Sequence, residues 1–501
     1  MEDMSFDGTN DTLKEGENRA AEEQTPETEP DTGFRKILKK LPVITVPGIL
    51  ALLALVAVFG TAVAYSTHRF HMASSWAHSP YIGFKNYDYF AGSNAWQVIG
   101  HTLLVRLLAL AVCGALAALM CLVYRKMKKP GAILTTACVW LIPAALPTAV
   151  MAIAARGLLI NLRLIQNSLL YLASAGLQVL GIFCFTCGLF AYLKKNPFSG
   201  LLVSALVWLL GSLSTNAVSF YMLGFGPTDL YLDDMIFMMT ANLSMDLYRS
   251  SAISVIKVLL QVLIGIIPAV LLCRSMRKET PLRRKTTRAE LWLIPAAVAC
   301  AALAVLAVDP VRAMKDNLVR TGINSLLLTL SGGAIGGLIA YSLIRLLRNA
   351  PAAVYGSAAL ILSAAMSFVG VQIMINVRLR MMDTIQFHAL AAAFDWRVIL
   401  LTVILSFALR TRTEKHPVCL TLALMLLVGA YTWTKVDFAQ VHETVRGLTT
   451  GKLFLTYILG KIDAGAPQQW TKIISTVPPL LLGAGGAFLM RQAFRDKEEA
   501  I

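Results

Sequence analysis

Twelve long apolar runs dictate what this chain can become. They cover residues 42–65, 101–124, 131–155, 168–193, 200–222 and 250–273, then 290–308, 325–345, 352–375, 388–410, 417–434 and 473–490. About 20 apolar residues in a helix cross a bilayer, whereas a spanning strand needs only about 9–11 with strict alternation. Helices are therefore the expected state of every run. Composition agrees: hydrophobic residues make up 56% and charged residues only 15%, against about 25% charged in soluble proteins. The expected fold class is an all-α polytopic membrane protein with about 12 transmembrane helices. The triplet Ala62-Val63-Ala64 resembles a signal cleavage site, but the run holding it is longer than a signal core of about 7–15 residues, so a retained anchor is expected.

The formal charge of +16 is unevenly spread. Residues 1–33 hold eleven Asp and Glu but only Lys14 and Arg19. With almost no large apolar residue, this acidic tail is expected to be disordered. The stretch 274–288, RSMRKETPLRRKTTR, carries seven Lys and Arg against one Glu. Alternate connections are basic throughout, with Arg35–Lys40, Arg125–Lys129, Lys194-Lys195, the 274–288 stretch, Arg345–Arg348, Arg410–Lys415 and Arg491–Lys497 holding 25 of the 45 Lys and Arg. Positive charge stays on the cytoplasmic side. Both termini are accordingly expected inside, in a multi-pass protein of the plasma or inner membrane. The basic excess is thereby assigned to the bilayer, and no nucleic acid partner is implied.

The basic stretch divides the runs six and six. The second run opens His101-Thr102-Leu103-Leu104, and 223 residues later comes Asn324-Ser325-Leu326-Leu327; in that register Gly114 falls on Gly337 and Ala117 on Ala340. The expected organisation is an acidic tail (1–33), a first half (34–273), a basic linker (274–288) and a second half (289–501). Six spans per half give both halves the same orientation, a parallel repeat.

No phosphate-binding glycine loop, zinc-protease motif or nucleophile elbow occurs, so neither a catalytic constellation nor a cofactor or metal site is expected. Cys184-Phe-Thr-Cys187 has redox spacing but lies within an apolar run with no histidine nearby. Small packing residues are the favoured identity over a thiol or zinc site. Ser331-Gly-Gly-Ala-Ile-Gly-Gly337 offers small residues at i, i+4, suited to close helix approach, with a gate hinge as the alternative. Charges inside apolar runs need a reason. Lys257 lies where it can face a polar cavity, while Arg106 is close enough to the run's end to snorkel. Asp395 falls in the outer half of its helix if that helix begins near Gln386, or at the surface if it begins at Trp396. Asn216, Ser219 and Tyr221, with Trp208 two to three turns earlier, offer amide, hydroxyl and stacking groups of the kind that hold sugars. Interfacial anchoring is the other role open to them. Trp208, Asn216, Tyr221, Lys257 and Asp395 are the candidate substrate-path residues.

Several motifs, in order, resemble a known family. Gly83-Phe84-Lys85-Asn86-Tyr87-Asp88-Tyr89-Phe90, Leu164-Ile165-Gln166-Asn167-Ser168-Leu169-Leu170 and Phe225-Gly226-Pro227-Thr228 look like stretches of one membrane subunit of carbohydrate-type (maltose-type) ABC importers. Asn324-Ser325-Leu326, Ala340-Tyr341-Ser342-Leu343, Leu379-Arg380-Met381-Met382-Asp383-Thr384, Trp433 with Asp437, and Val477–Leu482 with Arg491–Phe494 look like the other subunit. The resemblance covers most of 40–496. It implies two type-I ABC permease halves fused end to end, a solute path between them, an extracellular solute-binding protein as partner, and ATP bound only on a separate ATPase subunit. One departure is large. The family's E-A-A-x-x-x-D-G-A coupling stretch is absent from both corresponding connections, Lys194–Phe198 and Thr411–His416. At about 1.5 Å per residue these hold under two helical turns. ATPase coupling is thus in doubt, and a permease that no longer pumps, serving as receptor, scaffold or sensor, is the alternative. An ion-coupled carrier has Lys257 and Asp395 as its only support.

Overall fold

The apolar runs fold as helices, and among the described residues the only extended pairing is one bridge between His68 and Tyr81. The computed structural model describes residues 42–69, 79–92, 94–147, 151, 155, 167–215, 231–233, 235–236, 247–277, 279, 281–282, 286–307, 310, 317–365, 392–412, 414–433 and 469–495. The expected acidic tail lies outside them. Two units are distinguished, Met1–Val43 and Ile44–Ile501, and the architecture below is that of the second.

Fourteen α-helices occur among the described residues: α1 (Val46–Ser66), α2 (Asp88–Gly92), α3 (Ala95–Lys126), α4 (Pro130–Val139), α5 (Leu141–Ala144), α6 (Asn167–Tyr192), α7 (Pro197–Leu210), α8 (Leu247–Arg277), α9 (Arg288–Leu306), α10 (Asn317–Asn349), α11 (Ala352–Ala365), α12 (Trp396–Ala408), α13 (Pro417–Trp433) and α14 (Gln469–Phe494). Six of them, α1, α3, α6, α8, α9 and α10, carry apolar stretches long enough to cross a bilayer. The helices α4–α5, α7, α11, α12 and α13 are apolar but shorter. These features define a multi-pass, all-helical membrane protein.

Local chemistry sets the helix ends. The Asn196 side chain accepts the Phe198 N–H to start α7, with Pro197 in its first turn. Thr287 accepts the Glu290 N–H to start α9, and Asp395 accepts the Arg397 N–H to start α12. Between α6 and α7 the chain reverses within four residues. Lys194 takes φ +57°, its N–H reaches the Ala191 carbonyl, and the Lys195 N–H reaches that of Phe190. This is a Schellman turn with lysine where glycine is usual. In the motif Gly83–Phe90, Gly83 has φ +63°, and the Asn86 amide donates to the carbonyls of Ser66 (2.6 Å) and His68 (3.2 Å). That stretch is thereby pinned to the end of α1.

Burial grades from centre to rim. Every residue of α12 is buried, as expected of a helix that is apolar all round. By contrast α1 and α9 expose Leu50, Leu53, Val56, Leu303 and Leu306, faces suited to lipid. Helix α10 lies closest to α13, where the glycines act as close-packing positions. A Cβ on Gly337 would meet the Met425 backbone at 2.5 Å, and one on Gly333 the Gly429 Cα at 3.1 Å. Helix α8 packs on α11, while α14 packs on α4 and α5. Helix α1 reaches α10, where the Gly48 N–H donates to Ser342 Oγ at 2.7 Å.

Candidate functional site

The charges within the apolar runs converge on one buried layer. Helix α3 begins at Ala95, six residues before the apolar run, so Arg106 lies three turns inside the helix. It is 3% exposed, and the expectation that it snorkels to a surface is corrected. Its Nη2 donates to the Trp208 carbonyl (2.9 Å), Trp208 Nε1 donates to the Arg106 carbonyl (3.1 Å), and the guanidinium lies 3.2 Å from the centre of the Trp208 ring. The carbonyl it takes belongs to the last turn of α7, where the helix dipole favours a cation. Trp208 is buried, with its ring edge-on to Phe183 and to Trp396 of α12, the latter at 5.7 Å.

Lys257 of α8 forms an ion pair with Asp233, and both side chains are fully buried. The second carboxylate oxygen accepts the Thr215 N–H (2.7 Å) and hydroxyl (3.3 Å). Thr102 of α3 holds the neighbouring backbone by accepting the Leu232 N–H at 3.0 Å. A chain of polar contacts continues from Ser214 to Gln261 (3.2 Å), and from the Gln261 amide to the Ser363 carbonyl of α11 (2.6 Å). Arg106 is beside Tyr171 and within electrostatic reach of Asp233. The linked contacts of Lys257, Asp233 and Thr215 form a buried network of the kind that holds a unique geometry.

Asp395 occupies a helix break. Of the two starts considered from the sequence, the helix takes the later one, Trp396, yet Asp395 is 7% exposed and does not lie at a surface. Its Oδ1 accepts the N–H and Nε of Arg397 (both 2.9 Å) and its Oδ2 accepts Nη2 (3.1 Å), a bidentate pair. The Arg397 guanidinium stands 4.3 Å from the Tyr431 ring centre. Trp208, Lys257 and Asp395 are thus linked through Arg106, Asp233 and Trp396. Asn216, Ser219 and Tyr221 lie outside the described residues.

A second ionic group gathers where the linker meets the bundle. Glu414 accepts from Arg348 Nη1 at 2.6 Å and from Arg345 Nη1 at 3.5 Å, and Glu290 lies 3.9 Å from Arg345. Arg410 donates to the carbonyls of Glu279, Arg348 and Ala350, while Lys195 pairs with Glu279 at 2.6 Å. The charge pattern assigns Arg345, Arg348 and Arg410 to solvated connections, yet all three are buried. Asp233, Glu290 and Glu414 were not singled out by sequence. Their partners are distant along the chain, and the only local hint is that Glu414 is the lone acid in its connection.

Among the described residues, no three His, Cys, Asp or Glu side chains converge as metal ligands would. The buried layer offers fixed charges, amides, hydroxyls and an indole at helix-bundle depth, which are groups for holding a polar solute. No protein-family model, no curated protein and no solved structure matches this chain.

Proposed function

We propose that this protein is the membrane-spanning, permease-like component of an ABC-type import system for carbohydrates or related organic solutes. In this reading twelve helices form two six-helix halves with both termini cytoplasmic, and the solute path runs between the halves through the layer of Trp208, Lys257 and Asp395. A solute-binding protein docks outside, and any ATP is held by a separate subunit. The observation that carries the reading is reciprocal packing. The sixth run of the first half (α8) lies on the third of the second (α11), and the sixth of the second (α14) lies on the third of the first (α4 and α5). Such exchange is what a pseudo-twofold between related halves produces. The order of the family-like motifs supports it independently. The test is uptake of labelled solutes into cells carrying or lacking the gene together with its neighbouring ATPase and binding-protein genes. Uptake that needs this chain supports the reading; its absence for every carbohydrate and organic acid offered overturns it.

One observation favours the alternative of a permease that no longer pumps. Connections that would carry a coupling helix are short, and the second holds Glu414 buried against Arg345 and Arg348. A stable interface buries about 1,200–2,000 Å², more than these two connections offer. Under that reading the purified chain binds the solute-binding protein, yet leaves ATP hydrolysis by the neighbouring ATPase unchanged.

A further inference from the structure

We propose that the solute received by this layer is an anion, a sugar acid or similar organic acid whose carboxylate pairs with Arg106. The proposal rests on reading the layer as a solute path, and it follows from the company that Arg106 keeps. Arg106 keeps its charge at any physiological pH. Among the described residues no carboxylate forms an ion pair with it. Asp233, the acid within its electrostatic reach, is already engaged by Lys257 and by both the N–H and hydroxyl of Thr215. Asp395 is taken by Arg397. Arg106 is 3% exposed, and a buried charge with no ion-pair partner among the described residues is costly.

What Arg106 does contact explains how it waits. Its guanidinium rests on the indole of Trp208, donates to the Trp208 carbonyl and lies beside the Tyr171 hydroxyl, while its Nε is buried with no hydrogen-bond partner. A ring face, one carbonyl and one neutral hydroxyl are weaker company for a guanidinium than the fork of a carboxylate. An arriving carboxylate takes the Nε and a terminal nitrogen together and draws the guanidinium off the ring. That movement uncovers an indole face, on which the C–H face of a pyranose stacks. Charge recognition and ring recognition are thus exchanged on one residue pair. Lys257 and Asp233 remain paired and hold the adjacent wall.

The experiment measures equilibrium binding to the purified full chain in phosphatidylcholine nanodiscs. Probes are matched pairs differing in one acid group: glucuronate and glucose, galacturonate and galactose, gluconate and glucitol. Acids are expected to bind tighter than their neutral partners by about tenfold or more, with the preference shrinking as salt rises. Acid binding is expected to change tryptophan emission in the wild type and not in Trp208→Phe. Arg106→Gln should abolish the preference and Arg106→Lys keep part of it. Should Arg106→Gln fail to fold, the wild-type preference and the Trp208-dependent emission change decide. Equal binding of acid and neutral members, binding of no acid in the set, or acid binding untouched by Arg106→Gln each overturns the proposal. Uptake of a neutral carbohydrate without preference for acids would leave the importer reading standing while this one falls; acid binding without uptake would do the reverse.

Discussion

Lys194 occupies a backbone conformation that side chains avoid, and it does so while exposed. The left-handed geometry costs a non-glycine residue about 1 kcal/mol, a cost that glycine does not carry. Lys194→Gly is expected to stabilise the protein by about 0.5–1 kcal/mol, read as a higher midpoint of thermal unfolding in detergent. Asp233 presents the opposite case. Removing its charge takes an ion-pair partner from the fully buried Lys257, so Asp233→Asn should cost about 3–5 kcal/mol. The double variant Asp233→Asn with Lys257→Met should recover most of that in the same assay, and additive losses would show that the pair is not coupled. At this scale the sequence was half legible. Lys257 announces itself as a charge in an apolar run, but Asp233 lies in a connection where acids are ordinary, and only the fold brings the two together.

At the scale of elements, hydropathy located the helices and glycine spacing marked the tightest crossing. Because α10 and α13 meet backbone to backbone at Gly333 and Gly337, a side chain there has no soft neighbour to displace. Gly337→Leu is expected to force the helices apart and eliminate the monodisperse folded peak in detergent chromatography, whereas Gly60→Leu, with open space around its Cβ, should leave it intact. The break before α12 was half legible: Asp395 left two helix starts open, of which the later is taken, but its burial against Arg397 was hidden, because local sequence does not show what packs around a helix end. Equally hidden was the burial of Glu414 in the connection after α12. Glu414→Gln should cost about 3 kcal/mol by leaving Arg348 without its 2.6 Å partner, and unfolding titrations with a mild denaturing detergent will register it. A loop acid in solvent would show almost none of that loss.

For the whole molecule, division into six and six runs was readable from charge and hydropathy, but which helix touches which was not, since apolar faces carry little information about partners. Contacts between the runs before and after the linker include an aromatic stack of Phe190 on Phe407, the Trp208–Trp396 pair and the Lys195–Glu279–Arg410 bonds at the linker. Chains 1–282 and 283–501 expressed together should therefore assemble and co-purify through a tag on either piece, and separate recovery of the two would show that covalent connection is needed. The bond between Gly48 and Ser342 has a consequence in time. Its partners are 294 residues apart, and ribosomes add about 5–20 residues per second, so α1 waits on the order of 15–60 s for the helix that completes its surroundings. During that interval the notch at Gly48 stays unfilled, and a ribosome that stops between α8 and α10 releases a chain whose first helix has α8 to pack on but not the serine that closes its notch.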